Sequence, residues 1–182
     1  ESGKQFLVLG NMNHITFKEI FHYFRENKMW LGYNAGHFWF KVPDYYEAKN
    51  TDYKQDEDGQ KWRRLGNICW FTNMDIDIRH QFLDLYKHFS IQEYPEYDNY
   101  DAYFVKTVAD IPCDTDKPLA VPITFLSSFS PDQFELLDAN QFRKYDEVPV
   151  KSHGLIKDKD GTIKGKATYA RLLVRNRNPE KE

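Results

Sequence analysis

Glycine and proline are scarce in this chain of 182 residues, at nine and eight, while aromatic residues make up 16%. That balance excludes a low-complexity or disordered chain. The only cysteines are Cys69 and Cys113. Two thiols so far apart in sequence exclude a disulfide framework and a cysteine-rich zinc site. Cys69 lies inside an apolar run, so a buried free thiol and a reducing, cytoplasmic setting are expected. No apolar run approaches the length of a membrane span, and no membrane partner is expected. A net charge of −3 argues against indiscriminate binding of polyanions. The chain has no P-loop, no G-x-G-x-x-G, no G-x-S-x-G, no H-E-x-x-H and no Pro-Pro pair. No complete active site is therefore legible from motifs alone.

What is present is 41% hydrophobic sequence, enough for one domain with a real core and a smaller appendage. The organising stretch is Trp62–Asp75. It opens on Arg63 and Arg64, becomes apolar over Ile68–Phe71 and ends in the turn residues Thr72, Asn73 and Asp75. This pattern predicts a strand buried on both faces, as in the interior of an α/β sheet. Its tripeptide Leu65-Gly66-Asn67 is echoed by Leu9-Gly10-Asn11 at the end of Lys4–Gly10, a second expected buried strand. The two are expected to share a sheet. Thr16 and Glu19 have capping-box spacing, and Phe17, Ile20, Phe21 and Phe24 fall on one helical face. Strand, polar turn and helix make half of a βαβ unit, in which ligands sit beyond strand C-termini. Asn11 and Asn13 occupy that position, either as pocket residues or as turn caps.

His37–Val42 is an expected strand, stopped by Pro43. Asp58-Gly59 is a hairpin turn signal that brings the chain back into Trp62–Phe71, so the two strands are expected to pair antiparallel. Asp75 or Asp77 suits the cap of a helix striped by Ile78, Phe82, Leu85 and Phe89. Asp75, Asp77 and His80 also make a conceivable metal set, although helix N-termini favour Asp without any metal.

The segment Ile111–Leu119 reads as an exposed loop, and Pro122 argues against a central strand at Ala120–Leu126. Ser130, Pro131 and Gln133 fit a helix start or a turn leading into Phe134–Leu137. A terminal hairpin is expected around Asp160-Gly161, followed by a last strand, Ala167–Val174. Charge is segregated. Ile91–Asp116 holds seven acids and one base, whereas Lys157–Arg177 holds seven bases and two acids. The second segment is either a basic face or an ordinary solvated surface. The chain opens on Glu1 and enters an apolar strand within a few residues, which suggests an excerpt of a longer protein.

Six blocks together carry a family resemblance: Lys4–Asn13, Ile15–Gly32, Trp62–Asn73, Glu93–Ala102, Val121–Leu126 and Ser130–Glu135. In this order they resemble the EcoRI-like adenine-specific DNA methyltransferases, over roughly Lys4 to Glu135 and again at Tyr169–Arg175. The resemblance implies transfer of a methyl group from S-adenosylmethionine to N6 of an adenine in double-stranded DNA. The target base would be flipped into its pocket, and a cognate restriction endonuclease would be the partner system. It also implies an α/β fold: a partial Rossmann-like methyltransferase sheet of late strands, including an antiparallel hairpin, followed by a β-rich C-terminal recognition segment. Residues 1–110 would be the end of the catalytic fold and 111–182 the recognition segment. Lys4–Gly10 would be a parallel strand and Trp62–Phe71 the antiparallel one. The family's Asn-Pro-Pro-aromatic motif and its Gly-rich cofactor loop are missing, so this chain alone is expected to be inactive. Asn11 and Asn13 are then candidates for the base or cofactor pocket. Lys61, Arg63, Arg64, Lys164, Lys166, Arg171 and Arg175 are candidates for DNA contact, because cations neutralise phosphates and Arg reads guanine edges. Two alternatives are a non-catalytic DNA- or protein-binding module and a metal-dependent nuclease or transferase built on Asp75, Asp77 and His80.

Overall fold

A computed structural model describes residues 3–33, 36–47, 52–97, 101–139, 155–157, 163–166 and 171–181. The elements in chain order are β1 (Leu7–Asn11), α1 (Lys18–Arg25), β2 (Trp30–Leu31), β3 (Gly36–Lys41), β4 (Tyr53–Gln55), β5 (Lys61–Thr72), β6 (Tyr103–Phe104), β7 (Leu119–Pro122), β8 (Phe134–Ala139), β9 (Leu155–Lys157), β10 (Ile163–Lys166) and β11 (Arg171–Asn176). Short 3-10 turns link several of them. The result is a mixture of sheets with a single α-helix among the described residues, compatible with an α/β class.

β5 organises the first sheet. Its C-terminal half pairs antiparallel with β1 on one edge, Leu9 opposite Trp70 and Asn11 opposite Ile68. β2 pairs with the other edge, at Thr72 and Phe71. The N-terminal half of β5 pairs antiparallel with β3 and with β4. The expected sharing of a sheet by the two Leu-Gly-Asn strands is therefore observed, as is the antiparallel pairing of β3 with β5. The turn before β5 forms at Asp58-Gly59, where Gly59 takes φ +81° and donates its N–H to the Asp56 carbonyl.

The echo has a separate cause at each end. A Cβ on Gly10 would come within 2.6 Å of the Phe71 ring, so that ring packs over the Gly10 backbone in space a side chain would take. Asn67 takes φ +57°. Gly36 faces Ile68 and His37 faces Gly66, leaving Asn67 unopposed. This is a β-bulge, and Asn is among the few residues that tolerate its left-handed backbone.

Burial departs from the expected pattern. β1 is not a buried strand: Leu7, Val8 and Leu9 are 52%, 54% and 43% exposed. In β5 only Cys69, Phe71 and Thr72 are buried, all at its C-terminal end. Apolar content predicted burial on both faces, but among the described residues no layer buries the side chains of Leu7–Leu9 or of the N-terminal half of β5. Burial pushes the Cys69 thiol up to about 12, which keeps it protonated and inert, as a free thiol in the core should be.

The helix starts at Lys18 with Phe17 at its N-cap and no side-chain cap. Thr16 instead donates its hydroxyl to the Asn13 carbonyl, so the expected capping box is not formed. Phe21 and Phe24 are buried and Phe24 meets Phe71 edge-on, whereas Phe17 is exposed. The helix expected after Asp77 is only a 3-10 turn, Asp77–His80. Its stripe does not stay on one face: Phe82 is 56% exposed while Phe89 packs on Tyr94 and Tyr103.

The second sheet runs β6-β7-β11-β8, with β6 parallel to β7 and the remaining pairs antiparallel. β7 is central in spite of Pro122, because that proline is its last residue. The expected exposed loop is largely interior: Ile111, Cys113, Thr115 and Leu119 are all buried. Gln133 makes no capping box. Its side chain brackets Leu83, accepting from the Leu83 N–H at 2.6 Å and donating to the Leu83 carbonyl at 2.7 Å. Ser130 and Pro131 begin a turn into β8, one of the two forms expected. β9 and β10 form the expected hairpin, although its turn at Asp160-Gly161 lies outside the described residues. The last strand runs later than expected, to Asn176, and residues 167–170 lie outside the described set.

One apolar cluster joins both sheets. Phe21, Phe24 and Phe71 belong to it together with Phe125, Phe134, Leu172 and Val174. Phe125 and Phe134 meet edge-to-face at 5.0 Å, a geometry worth about 0.5–1.5 kcal/mol beyond area burial. The contrast between core and β1 is testable by denaturant unfolding of this chain. Leu172→Ala should cost about 2–5 kcal/mol and Val8→Ala no more than about 0.5 kcal/mol.

Candidate nucleic-acid interface

Beyond the bulge at Asn67, β5 leaves the core together with β3 and β4. No described side chain between positions 38 and 67 is buried. At about 3.3 Å per residue, Lys61–Asn67 extends roughly 20 Å past the packed sheet. This ribbon leaves from the end of β5 that lies beside the C-terminus of β1. It is therefore on the side of the sheet where Asn11 and Asn13 are found.

Alternation in the ribbon puts Trp39 and Lys41 of β3 on one face. Their cross-strand partners are Arg64 and Trp62, and Lys54 of β4 stands opposite Trp62. The Lys54 ammonium sits 4.6 Å from the Trp39 ring centre and 5.8 Å from that of Trp62. Lys41 lies 5.3 Å from Trp62, and the Arg64 guanidinium 6.0 Å from Trp39. Arg64 is also paired with the Asp52 carboxylate at 2.6 Å. Trp62 donates its indole N–H to Asp56 at 2.8 Å, a bond that holds the Asp56 carboxyl below its ordinary value. Two indoles and three cations thus form one exposed, interleaved surface. Arg63 alternates away from it and lies 5.6 Å from the Tyr46 ring. The Lys61 ammonium donates to the carbonyls of Asp44 and Tyr46.

The other expected site residues are scattered. The Asn11 side chain accepts from the Asn13 N–H at 2.9 Å, capping the turn after β1, and Asn13 is exposed. The two do form a polar shelf at the strand end. A cavity of about 440 Å³, lined by Phe6, Tyr23, Met29 and Trp30, opens at the opposite end of β1 and does not include them. Lys164 and Lys166 lie on β10. Arg175 is exposed, 3.4 Å from the Glu135 carboxylate. Arg171 is buried over the Phe104 ring and donates to the Lys106 carbonyl, and burial lowers the pKa of its guanidinium. It serves the interior of the second sheet.

The set Asp75, Asp77 and His80 does not converge. His80 Nε2 lies 2.8 Å from Asp75, which holds the Asp75 carboxyl below its ordinary value, and Asp77 takes no part. The metal-dependent reading of these residues is corrected accordingly. The one mixed cluster of metal-ligand type among the described residues is His88, Cys113 and Asp114. There Asp114 is already engaged by the Phe89 N–H at 2.7 Å and by His88 at 3.1 Å.

Sequence reasoning missed Trp39, Lys41, Lys54 and Trp62. The signal was available as period-two alternation of Trp with Lys or Arg in β3 and β5. Cation–π contacts at exposed sites are worth about 0.5–1 kcal/mol. Lys54→Ala should therefore lower stability by at most about 1 kcal/mol, measured by denaturant unfolding, and should leave the fold intact.

The profile of the family described as adenine-specific methyltransferase EcoRI matches residues 1–177. The type II methyltransferase M.EcoRI of Escherichia coli is 41% identical, over 98% of this chain and 52% of that protein. M.MpnI of Mycoplasma pneumoniae is 34% identical over 97% of this chain and 58% of its own length. M.MgeORF184P of Mycoplasma genitalium is 33% identical over 96% and 58%. The chain thus spans about half the length of the curated relatives it matches. No solved structure matches it.

Proposed function

The chain belongs to the family of the adenine-specific methyltransferase EcoRI, and on that premise we propose that it is the later part of a DNA methyltransferase. The enzyme transfers a methyl group from S-adenosylmethionine to the exocyclic N6 of adenine in double-stranded DNA. The observation that carries this reading is the placement of the ribbon. β1 ends at a polar shelf, and from that same end of the sheet a surface of cations and indoles extends. In open α/β sheets the strand C-termini are where ligands sit, so the ribbon reaches outward from the reaction side and meets DNA there.

In this reading β1, β2 with β3, and β5 are the late strands of a Rossmann-like sheet, β5 being the antiparallel one. The outer edge of β1 receives the preceding part of that sheet. Residues 1–110 complete the catalytic fold, and residues 111–182 form the recognition segment with β7, β8 and β11. The compartment is the cytoplasm, and a cognate restriction endonuclease is the partner system. No helix among the described residues is long and apolar enough to cross a membrane.

S-adenosylmethionine would need an enclosed site with partners for its adenosine and its amino acid. Asn11 and Asn13 do not provide one, and they line no cavity described above. Asn11 is engaged in capping and Asn13 is exposed, so together they make a shelf without walls. At most the shelf borders a pocket closed by residues outside this chain, and no step of methyl transfer is assigned to it. The chain alone is therefore inactive in this reading.

The test is transfer of radiolabelled methyl from S-adenosylmethionine to duplex DNA, followed by nucleoside analysis. The full-length gene product should yield N6-methyladenine and this chain should yield none. Label on cytosine, or no label from the gene product, would overturn the activity. Turnover by this chain would overturn its incompleteness.

DNA contact is assigned to Arg63, Arg64 and Lys61 in the ribbon and to Lys164, Lys166 and Arg175 near the C-terminus. Replacing Lys164, Lys166 and Arg175 together with Ala should flatten the salt dependence of duplex binding. The expected change is about 0.9 in the slope of log K against log salt for each phosphate that is no longer neutralised. An unchanged slope would remove them from the interface.

A further inference from the structure

We propose that the Trp39–Trp62 face of the ribbon is a stacking platform for unpaired nucleotides, binding a DNA strand whose bases have left the duplex stack. The proposal rests on the DNA methyltransferase reading and goes beyond it by naming the form of DNA that this face takes. Four observations support it.

The indoles are placed for stacking. Trp39 is 37% exposed and Trp62 half-buried, and both lie on one face of a ribbon in which no described side chain is buried. An indole face shielded from water on one side by a rigid strand is a low-entropy surface for another planar ring. Every base offers such a ring.

The cations serve as placeholders. Lys54 rests between the two indoles and Lys41 rests on Trp62. Such contacts are weak at exposed positions. An arriving base displaces the ammonium group, which then meets the phosphate on either side of that base. The same side chain covers the platform when it is empty and neutralises the backbone when it is filled.

The ribbon is too broad for a groove. Where β4 joins, β3, β5 and β4 lie side by side. At about 4.8 Å between strands the outer axes are roughly 10 Å apart before side chains are added. The major groove, about 12 Å wide, admits a two-stranded ribbon. A three-stranded tip must lie against the DNA from outside.

Finally, a duplex hides what indoles bind. Paired bases present edges in the grooves and keep their faces in the stack, so Trp39 and Trp62 have no partner there. An enzyme that extrudes a base creates free faces on that base and its neighbours. The ribbon starts on the side of the sheet where such an extrusion would take place.

The experiment measures binding of end-labelled oligonucleotides to this chain by fluorescence anisotropy. It uses a single strand, the same sequence as a duplex, and an abasic strand of equal length. The variants are Trp39→Ala, Trp39→Phe and Lys54→Ala. The wild-type chain should bind the single strand more tightly than the abasic strand, and its tryptophan emission should be quenched on binding. Trp39→Ala should weaken single-strand binding roughly 5- to 150-fold and leave abasic binding unchanged, while Trp39→Phe restores most of the loss. Lys54→Ala should reduce the single-strand salt slope by about 0.7.

Two outcomes overturn the proposal while sparing the DNA reading. One is duplex binding with no preference for bases over the abasic strand. The other is equal single-strand affinity for the wild type and a folded Trp39→Ala. Binding of no oligonucleotide at all would sink the platform and count against DNA contact by this chain. Methyl transfer by the gene product would still be decided separately by its own assay.

Discussion

Both edges of one strand are occupied at once by main-chain hydrogen bonding, and the fold follows from that constraint. β5 cannot shift register against β1 without also shifting against β2 and β3. A slip of one residue would turn Cys69 and Phe71 out of the core and bring Trp70 in, inverting the buried face. Gly10 adds a steric condition to the same register, because only there does the missing side chain leave room for the Phe71 ring. The four strands and the helix that pack on β5 are thus referenced to a single alignment.

The bulge at Asn67 divides that strand into two environments. On one side the side chains face α1 and the apolar cluster shared with the second sheet. On the other they face solvent, and stability there comes from ladder hydrogen bonds, the Arg64–Asp52 pair and the indole–cation contacts. A ribbon in which no described side chain is buried contributes little apolar burial to the stability of the fold. The rigid half positions the exposed half, as expected of a recognition element carried on a scaffold.

Much of the first sheet was legible from sequence, because its strands are marked by strong local signals. The two Leu-Gly-Asn tripeptides marked strands that pair, whereas the Asp58-Gly59 turn joins β5 to β4, a short strand inside the polar stretch that was not expected, and β3 pairs on the opposite edge of β5. Burial was less legible, since Leu7, Val8 and Leu9 have core-like side chains whatever covers them. The helix expected after Asp77 is not formed beyond one 3-10 turn, and the chain there packs Leu83, Leu85 and Phe89 on the core, alternate positions that leave Phe82 of the expected stripe in solvent. Ile111–Leu119 failed in the opposite direction. Its Asp and Pro residues signalled solvent, but the Asn176 side chain donates to the Cys113 carbonyl and Lys87 supplies a carbonyl to the Cys113 N–H, which satisfies that backbone in the interior. At the candidate site, Arg63 and Arg64 stood out as a basic pair. Arg171 stood out equally, and only the packing of Phe104 beneath it reveals a different role. The ribbon's tryptophans were hidden by context, because in a sheet an indole reads as core until the structure shows lysine side chains, and no apolar layer among the described residues, over it.

The outer edge of β1 has one more bearing on how this polypeptide behaves. Among the described residues no strand pairs with that edge, and it carries three consecutive aliphatic side chains in extended conformation. Such an edge is a template for any other extended segment, including the same segment of a second molecule. Without a cover for β1, that edge is where two such molecules would pair strand to strand. A charged residue at Val8 would be the smallest change that keeps them apart.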